Sequence, residues 1–328
     1  MRAVLVSGAG GPASLSIGEA PSPVLQPGEV MLQVIATAVN RADLMQRDGN
    51  YPPPPGASTI LGLEATGTIT ALADDVTGWR VGQRAMALLS GGGYAQYVAV
   101  PSGQLMPIPD GIDAVAAAAI PEVFLTAYLT LVRLAHLTRG DVALIHAGAS
   151  GVGTAAIQIA HAVGAHAIAT TRDASRIDMP HKLGADTIVV DDARFADQVR
   201  QMTDGHGADV VLDLIGAAYF SQNVASCARG GRIVLTGLVA GRRTEADLGT
   251  LLANNISVIG STLRGRTLAE KTDLVRAFTE WAVPRFADGT LRPIVDRVVP
   301  LEDVASAHER VGANDAVGKV VLQVAADG

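Results

Sequence analysis

The feature that most constrains the fold of this chain is a glycine turn, Gly151-Val-Gly153-Thr-Ala-Ala156, set between an apolar run and an amphipathic segment. The run before it, Val142-Ala-Leu-Ile-His146, is short enough to be a buried strand. After it, Val152, Ala156, Ile159, Ala160 and Val163 fall at i, i+4, i+7, i+8 and i+11, a single apolar stripe on a helix. A strand that feeds through glycines into a helix presents backbone N–H groups at the positive end of the helix dipole. Side chains there would block a pyrophosphate, so glycine is required. The chain has 36 Gly in 328 residues, so a glycine pattern arises easily by chance. Strand before and helix after are what make this one a dinucleotide site.

Further apolar runs at Ala167–Thr170, Thr187–Val190, Val210–Leu214 and Arg232–Leu235 alternate with helical spacers. That alternation predicts a parallel sheet with helices on both faces. Ile256-Ser-Val-Ile-Gly260 reads as its last strand. The texture differs before residue 121. Val30–Ala36, Thr66–Thr70 and Ala95–Val100 are short β-prone runs separated by Gly/Pro turns, which predicts a mostly-β unit of barrel or sandwich type. The tail holds a helix signal, Pro300 to His308, and a closing strand, Gly318-Lys-Val-Val-Leu322, which return to the first domain. The expected organisation is residues 1–120, 121–263 and 264–328.

The adenosine end of the cofactor is read about 20 residues beyond the glycines. An acid ending the second strand would accept from the ribose hydroxyls of NAD. Here Thr170 and Thr171 end it, and Arg172 and Arg176 follow. Two guanidiniums suit a 2′-phosphate and favour NADPH, unless both are simply solvated at a helix start. One acid argues the other way: Asp173 stands two positions past the place of an NAD-type acid.

The net charge of -7 argues against nucleic-acid binding, since no basic excess is present to neutralise phosphates. One cysteine, Cys227, cannot make an internal disulfide or a Cys-rich zinc site and reads as a small buried apolar residue. The most apolar stretch, Val115 to Val132, is broken by Pro121 and Glu122 and is a poor membrane span. With no signal-peptide pattern at the start, a soluble cytoplasmic protein is expected.

Several segments in order carry a family resemblance. They are Asn40-Arg-Ala-Asp43, Tyr51 in Asn50-Tyr-Pro-Pro-Pro-Pro-Gly56, Leu61-Gly-Leu-Glu-Ala-Thr-Gly67, Gly91-Gly-Gly-Tyr-Ala-Gln-Tyr-Val98, Pro121 to Tyr128, and His146 to Gln158. Together they resemble the zinc-independent quinone oxidoreductase branch of the medium-chain dehydrogenase/reductase superfamily. The resemblance implies an α/β fold, a GroES-like mostly-β catalytic domain plus a Rossmann doubly wound parallel sheet domain. It also implies a homodimer through the Rossmann domain, which would cover the apolar edge strand.

The same resemblance implies the site. Zinc-dependent relatives place Cys three residues before an Asp and His before a Glu; here those places hold Asn40 and Leu63, which suit no Zn²⁺. No metal is therefore expected. Asn40, Asp43 and Tyr51 would line the catalytic cleft, with Tyr51 either donating to the reduced oxygen or packing against the prolines. Thr126, Ser150, Gly151, Val152, Gly153, Arg172 and Arg176 would contact the dinucleotide. Gly237, Leu263 and Lys319 would lie near its nicotinamide or phosphates. Relatives place a Tyr against the adenosine phosphate where this chain has Asp191, whose carboxylate would repel a 2′-phosphate. His146, ending a strand, reads as a core histidine. The implied reaction is NADPH-dependent reduction of a quinone or other electron-poor acceptor. The alternatives are reduction of enones, alkenals or 2-enoyl thioesters, with Arg264 and Arg266 as candidates at a thioester channel, and NADPH binding without catalysis.

Overall fold

The computed structural model describes residues 1–190 and 194–326. It divides into two compact units, Met1–Leu125 with Arg264–Gly328, and Thr126–Leu263.

The first unit begins with an antiparallel ribbon of β1 (Arg2–Val6) and β2 (Leu15–Glu19). There follow β3 (Glu29–Ala38), α1 (Arg41–Arg47), β4 (Glu64–Leu72), β5 (Arg84–Leu88), β6 (Tyr97–Pro101) and β7 (Leu105–Pro107). Two short helices, α2 (Ala114–Ala117) and α3 (Pro121–Tyr128), close this stretch. Every second residue of β3 from Val30 to Val34 is buried, and Val30, Leu32 and Val34 pack with Ile69, Ala85, Val98 and Val100. That period-2 pattern is what holds the strand in register against β4 on one side and β6 on the other.

The second unit alternates without exception: β8 (Val142–Ile145), α4 (Gly151–Val163), β9 (His166–Thr171), α5 (Asp178–Lys182), β10 (Asp186–Val189), α6 (Ala196–Met202), β11 (Ala208–Asp213), α7 (Phe220–Ser226), β12 (Cys227–Leu235), α8 (Leu248–Ala253) and β13 (Ser257–Gly260). The six strands pair in the order β10-β9-β8-β11-β12-β13, every neighbour parallel. The order reverses between β8 and β11, which opens a crevice at the carboxyl ends of those two strands. Strand β8 is VALI because a central parallel strand is buried on both faces. Helix α4 starts at Ser150, whose side chain accepts from Gly153 N, and stops at Gly164, where φ is 85°.

The chain then returns to the first unit with α9 (Leu268–Ala287), β14 (Val295–Pro300), α10 (Val304–Gly312) and β15 (Lys319–Gln323). Helix α9 opens on a capping box, Thr267 and Glu270 exchanging hydrogen bonds. Strand β15 pairs antiparallel with β3 (Val321 opposite Ala38) and parallel with β14. The seven-stranded sheet thus runs β14-β15-β3-β4-β5-β7, with β6 also on β3.

Candidate functional site

In the second unit the glycine turn sits where β8 ends and α4 begins. The backbone leaves no room for a side chain at Gly153: a Cβ there would meet Ala147 O at 2.3 Å and Gly148 Cα at 2.7 Å. The loop folds that tightly because Ala147 itself takes a left-handed φ of 52°. The first turn of a helix has N–H groups without intrahelical acceptors. Ser150 Oγ takes that of Gly153 at 3.1 Å. Bare backbone at 151 and 153 at a helix start, on the crevice side of the sheet, fits a pyrophosphate.

Beside this turn the strand ends form a closed polar chain. Thr170 Oγ1 bonds His146 Nδ1 at 2.9 Å, and His146 Nε2 bonds Asn223 Oδ1 at 2.6 Å. Asn223 Nδ2 then donates to Asp213 Oδ2 at 3.0 Å. Because the Asn223 amide donates onward, its oxygen accepts from His146, and the proton of this histidine is on Nε2. Burial lowers the His146 pKa to about 4, so the ring is a neutral structural piece. Asp213 is spent on Ile215 N and Gly216 N, which bends the loop after β11.

The remaining cofactor candidates of this unit are spread around the same sheet. Gly237 follows β12, where a Cβ would meet Leu214 O at 2.6 Å. Thr126 and Leu263 are buried near the ends of the unit, and Val152 is half-buried in the first turn of α4. Thr170 and Thr171 do end β9, and Arg172 beyond them is exposed while Arg176 is half-buried. The Asp173 carboxylate accepts from Ser175 N at 2.9 Å, capping a short 3-10 turn. Asp191 lies outside the described residues. Cys227 is buried, which pushes its thiol up to about 12.

In the first unit, Asn40 and Asp43 occupy the N-cap and third positions of α1. Asn40 N donates to Asp43 Oδ2 at 2.8 Å and Gly62 N to Asp43 Oδ1 at 3.0 Å. Gly62 holds a φ of 105° with Gly93 and Tyr94 packed where a Cβ would be, so this approach needs glycine. The Tyr94 hydroxyl, 3.2 Å from Asp43 Oδ2 and 3.2 Å from His308 Nε2, continues the network into α10. Burial raises the Asp43 pKa to about 6 against these stabilising donors. Asp43 therefore braces a helix start, the Gly62 loop and Tyr94.

Asn40 is equally committed. Its Nδ2 donates to Glu64 Oε1 at 2.8 Å and Ala38 O at 3.2 Å, while Oδ1 accepts from Lys319 Nζ. Lys319 also donates to Val39 O at 2.8 Å and pairs with Glu64 at 2.9 Å. Sequence reading places Lys319 near the nicotinamide or phosphates; here its ammonium is engaged within the first unit. Its three donors are used inside the first unit, on a carbonyl, an amide and a carboxylate that would otherwise be buried unpaired. Leu63, at the other position compared with zinc ligands, is a buried core residue. Among the described residues no group of three or more His, Cys, Asp or Glu is arranged to hold a metal ion.

Tyr51 stands apart from that frame. It is half-buried, and the Arg264 guanidinium lies 5.4 Å from its ring centroid. Burial raises its phenol pKa, Arg264 opposes the rise and Glu122 adds to it. Glu122 is pushed up to about 8 by burial and by Glu64, whose Oε2 accepts from the Glu122 backbone N at 2.8 Å. Sequence reading gave Glu64, Glu122 and Lys271 no part in the site, and gave Arg264 no partner. Glu64 and Glu122 are single charges in apolar segments, which is the one available signal; Lys271 and Arg264 stand among other charges and carry none.

Known proteins with similar sequences match along nearly the whole chain. The zinc-binding dehydrogenase family matches residues 151–280, and the alcohol dehydrogenase GroES-like domain family matches 26–110. The human quinone oxidoreductase is 29% identical over 332 residues, covering 98% of this chain and 97% of the relative. A crystal structure of an NAD-dependent alcohol dehydrogenase superposes with a TM-score of 0.86 at 32% identity, over 99% of this chain and 100% of that one. A mycobacterial protein solved in complex with NADPH superposes with a TM-score of 0.88 at 30% identity, again over 99% and 100%. A phenolphthiocerol/phthiocerol polyketide synthase subunit from Mycobacterium tuberculosis is 31% identical over 305 residues, and the chain spans 14% of its length.

Proposed function

The chain belongs to the medium-chain dehydrogenase/reductase superfamily, and on that premise we propose that it is an NADPH-dependent oxidoreductase that reduces quinones without zinc. The observation that carries the cofactor is the turn from β8 into α4, bare at Gly151 and Gly153, with Arg172 and Arg176 instead of an acid directly after β9. Arginine forks suit a 2′-phosphate. The Asp173 carboxylate is already engaged by Ser175. Ser150, Gly151, Val152 and Gly153 hold the pyrophosphate, and Thr126, Gly237 and Leu263 contact the rest of the cofactor.

When bound, NADPH supplies a hydride, and a proton completes reduction of the acceptor. The protein's own task is to orient the acceptor and steady the charge it gains. Tyr51 is the residue of the first unit that donates a hydrogen bond to the reduced oxygen. Asn40 and Asp43 act as positioning residues. The reading without zinc is supported by the donor set: the Asn40 amide is shared between Glu64 and Lys319, and Leu63 offers no lone pair. The acceptor class is carried over from the human quinone oxidoreductase, a match over 98% of this chain and 97% of that one. A second copy pairing along the β13 edge, where Val258 is exposed, makes the protein a homodimer.

The test is loss of NADPH absorbance by the purified protein with an ortho-quinone, a simple enone and a 2-enoyl thioester. Oxidation with the quinone alone is the expected result. Likeness to a solved enoyl reductase, with a TM-score of 0.88 at 25% identity, supports a second reading, reduction of a conjugated C=C bond, and turnover of the enone or thioester alone would replace the first with it. Tight NADPH binding with no turnover would leave a cofactor-binding protein without catalysis.

A further inference from the structure

Arg264 opens the segment that returns to the first unit, and the residue is 3% exposed. Nε and Nη2 donate to Ser90 O at 3.0 and 2.8 Å, and Nη2 also to Gln46 Oε1 at 2.6 Å. Nη1 is buried and, among the described residues, has no hydrogen-bond partner. A second buried cation shares the same anchor: Lys271, 4% exposed, donates to Ser90 Oγ at 2.6 Å. One serine thus holds a guanidinium through its carbonyl and an ammonium through its hydroxyl.

Burial works against both charges, and Arg264 adds repulsion on Lys271. Their carboxyl neighbours do not cancel them. Asp43 is spent on Gly62, Asn40 and Tyr94, and burial favours the uncharged form of Glu122. Buried cations with a donor left over are costly unless an acceptor arrives. The ring of Tyr51 beside the guanidinium gives that acceptor a flat apolar surface to lie against.

We infer that Arg264, backed by Lys271 and flanked by Tyr51, forms the site that receives a substrate carbonyl oxygen as it becomes an oxyanion. The inference rests on the reductase reading above and names the group that steadies its product. In the balanced reaction a hydride adds two electrons to the conjugated carbonyl and one oxygen becomes an anion. A proton from solvent then converts that anion to a hydroxyl, leaving NADP⁺ and the reduced acceptor. Preorganised donors aimed at a developing anion act without reorganising during the step.

The probe is 4-nitrocatechol, a catechol whose anion and neutral form differ in visible absorbance, titrated into the full chain saturated with NADP⁺. Charge-assisted hydrogen bonding predicts that the wild type favours the bound anion over the bound neutral form by roughly tenfold or more. Arg264→Met, checked by circular dichroism and by NADPH affinity, should lose that preference. Arg264→Lys should keep part of it. A wild type that binds both forms equally, or a folded Arg264→Met with the preference intact, overturns the site. Where neither variant folds, the wild type decides: equal affinity for 4-nitrocatechol and its dimethyl ether overturns it, and weaker binding of the ether supports it. A wild type that selects the anion but turns over enones and not quinones sinks the quinone reading and keeps the oxyanion site. Quinone turnover with no anion preference does the reverse.

Discussion

Replacing Lys319 by Met would separate the two roles this residue has been given. In the structure Lys319 is 4% exposed and its ammonium pairs with Glu64, which is 0% exposed, at 2.9 Å. Methionine matches the stem but leaves Glu64 with the Asn40 amide and the Glu122 backbone N–H as its remaining partners. Removing one member of a buried pair costs about 3–5 kcal/mol, because the other charge is stranded. For a unit of this size each kcal/mol moves the melting temperature by about 2–4 °C, so a fall of roughly 6–20 °C is expected. Differential scanning calorimetry reads it on the transition of the first unit. Adding Glu64→Gln removes the stranded charge, and the double variant should regain at least half of the loss. NADPH affinity, measured by nicotinamide fluorescence, should stay within about twofold, since Lys319 spends its donors on Val39, Asn40 and Glu64. A melting shift under about 2 °C together with a tenfold loss of NADPH affinity would refute this reasoning and return Lys319 to the cofactor.

Three further outcomes are expected. Gly153→Ala should weaken NADPH binding by roughly tenfold or more in a fluorescence titration, because the new methyl would meet backbone at 2.3 and 2.7 Å and the turn would have to open. Arg172→Ala and Arg176→Ala should each weaken NADPH about tenfold and leave NADH nearly unchanged, the size of one charge-assisted contact; equal losses for both cofactors would refute a 2′-phosphate site. Glu122 gives a pH signature. Its pKa rises on folding from 4.5 to about 8, so the folded state holds the extra proton and stability falls as pH climbs from about 4.5 to about 8. Glu122→Gln should therefore raise the melting temperature near pH 8.5 and change it little near pH 4.5, and the opposite ordering would rule out a protonated Glu122.

The alternating unit was legible along the chain because its determinants are local. Val142 to Ile145, the glycines at 151 and 153, and the stripe from Val152 to Val163 each encode their own geometry, and β8 and α4 formed there. The strand runs at Thr66, Val210 and Arg232 appeared as β4, β11 and β12, with ends shifted by a few residues. His146 was readable as a core residue from its place at the end of a strand; that it is bound to Thr170 and Asn223 was not.

What the sequence by itself determined is the parts: a doubly wound parallel sheet with a dinucleotide turn, a separate mostly-β stretch, and threonines in place of an acid after the second strand. Tertiary structure alone decided the partners. Lys319, Glu64, Asn40 and Val39 come from the two ends of the first unit, hundreds of residues apart for Lys319 and Asn40 (a separation of 279), and no periodicity links them. Arg264 and Lys271 likewise meet Ser90 and Gln46 only through the fold. The physical reason is that a charged side chain's role depends on what it loses to burial and what pairs with it in exchange. Both are properties of its surroundings in space, which single positions in a chain do not carry.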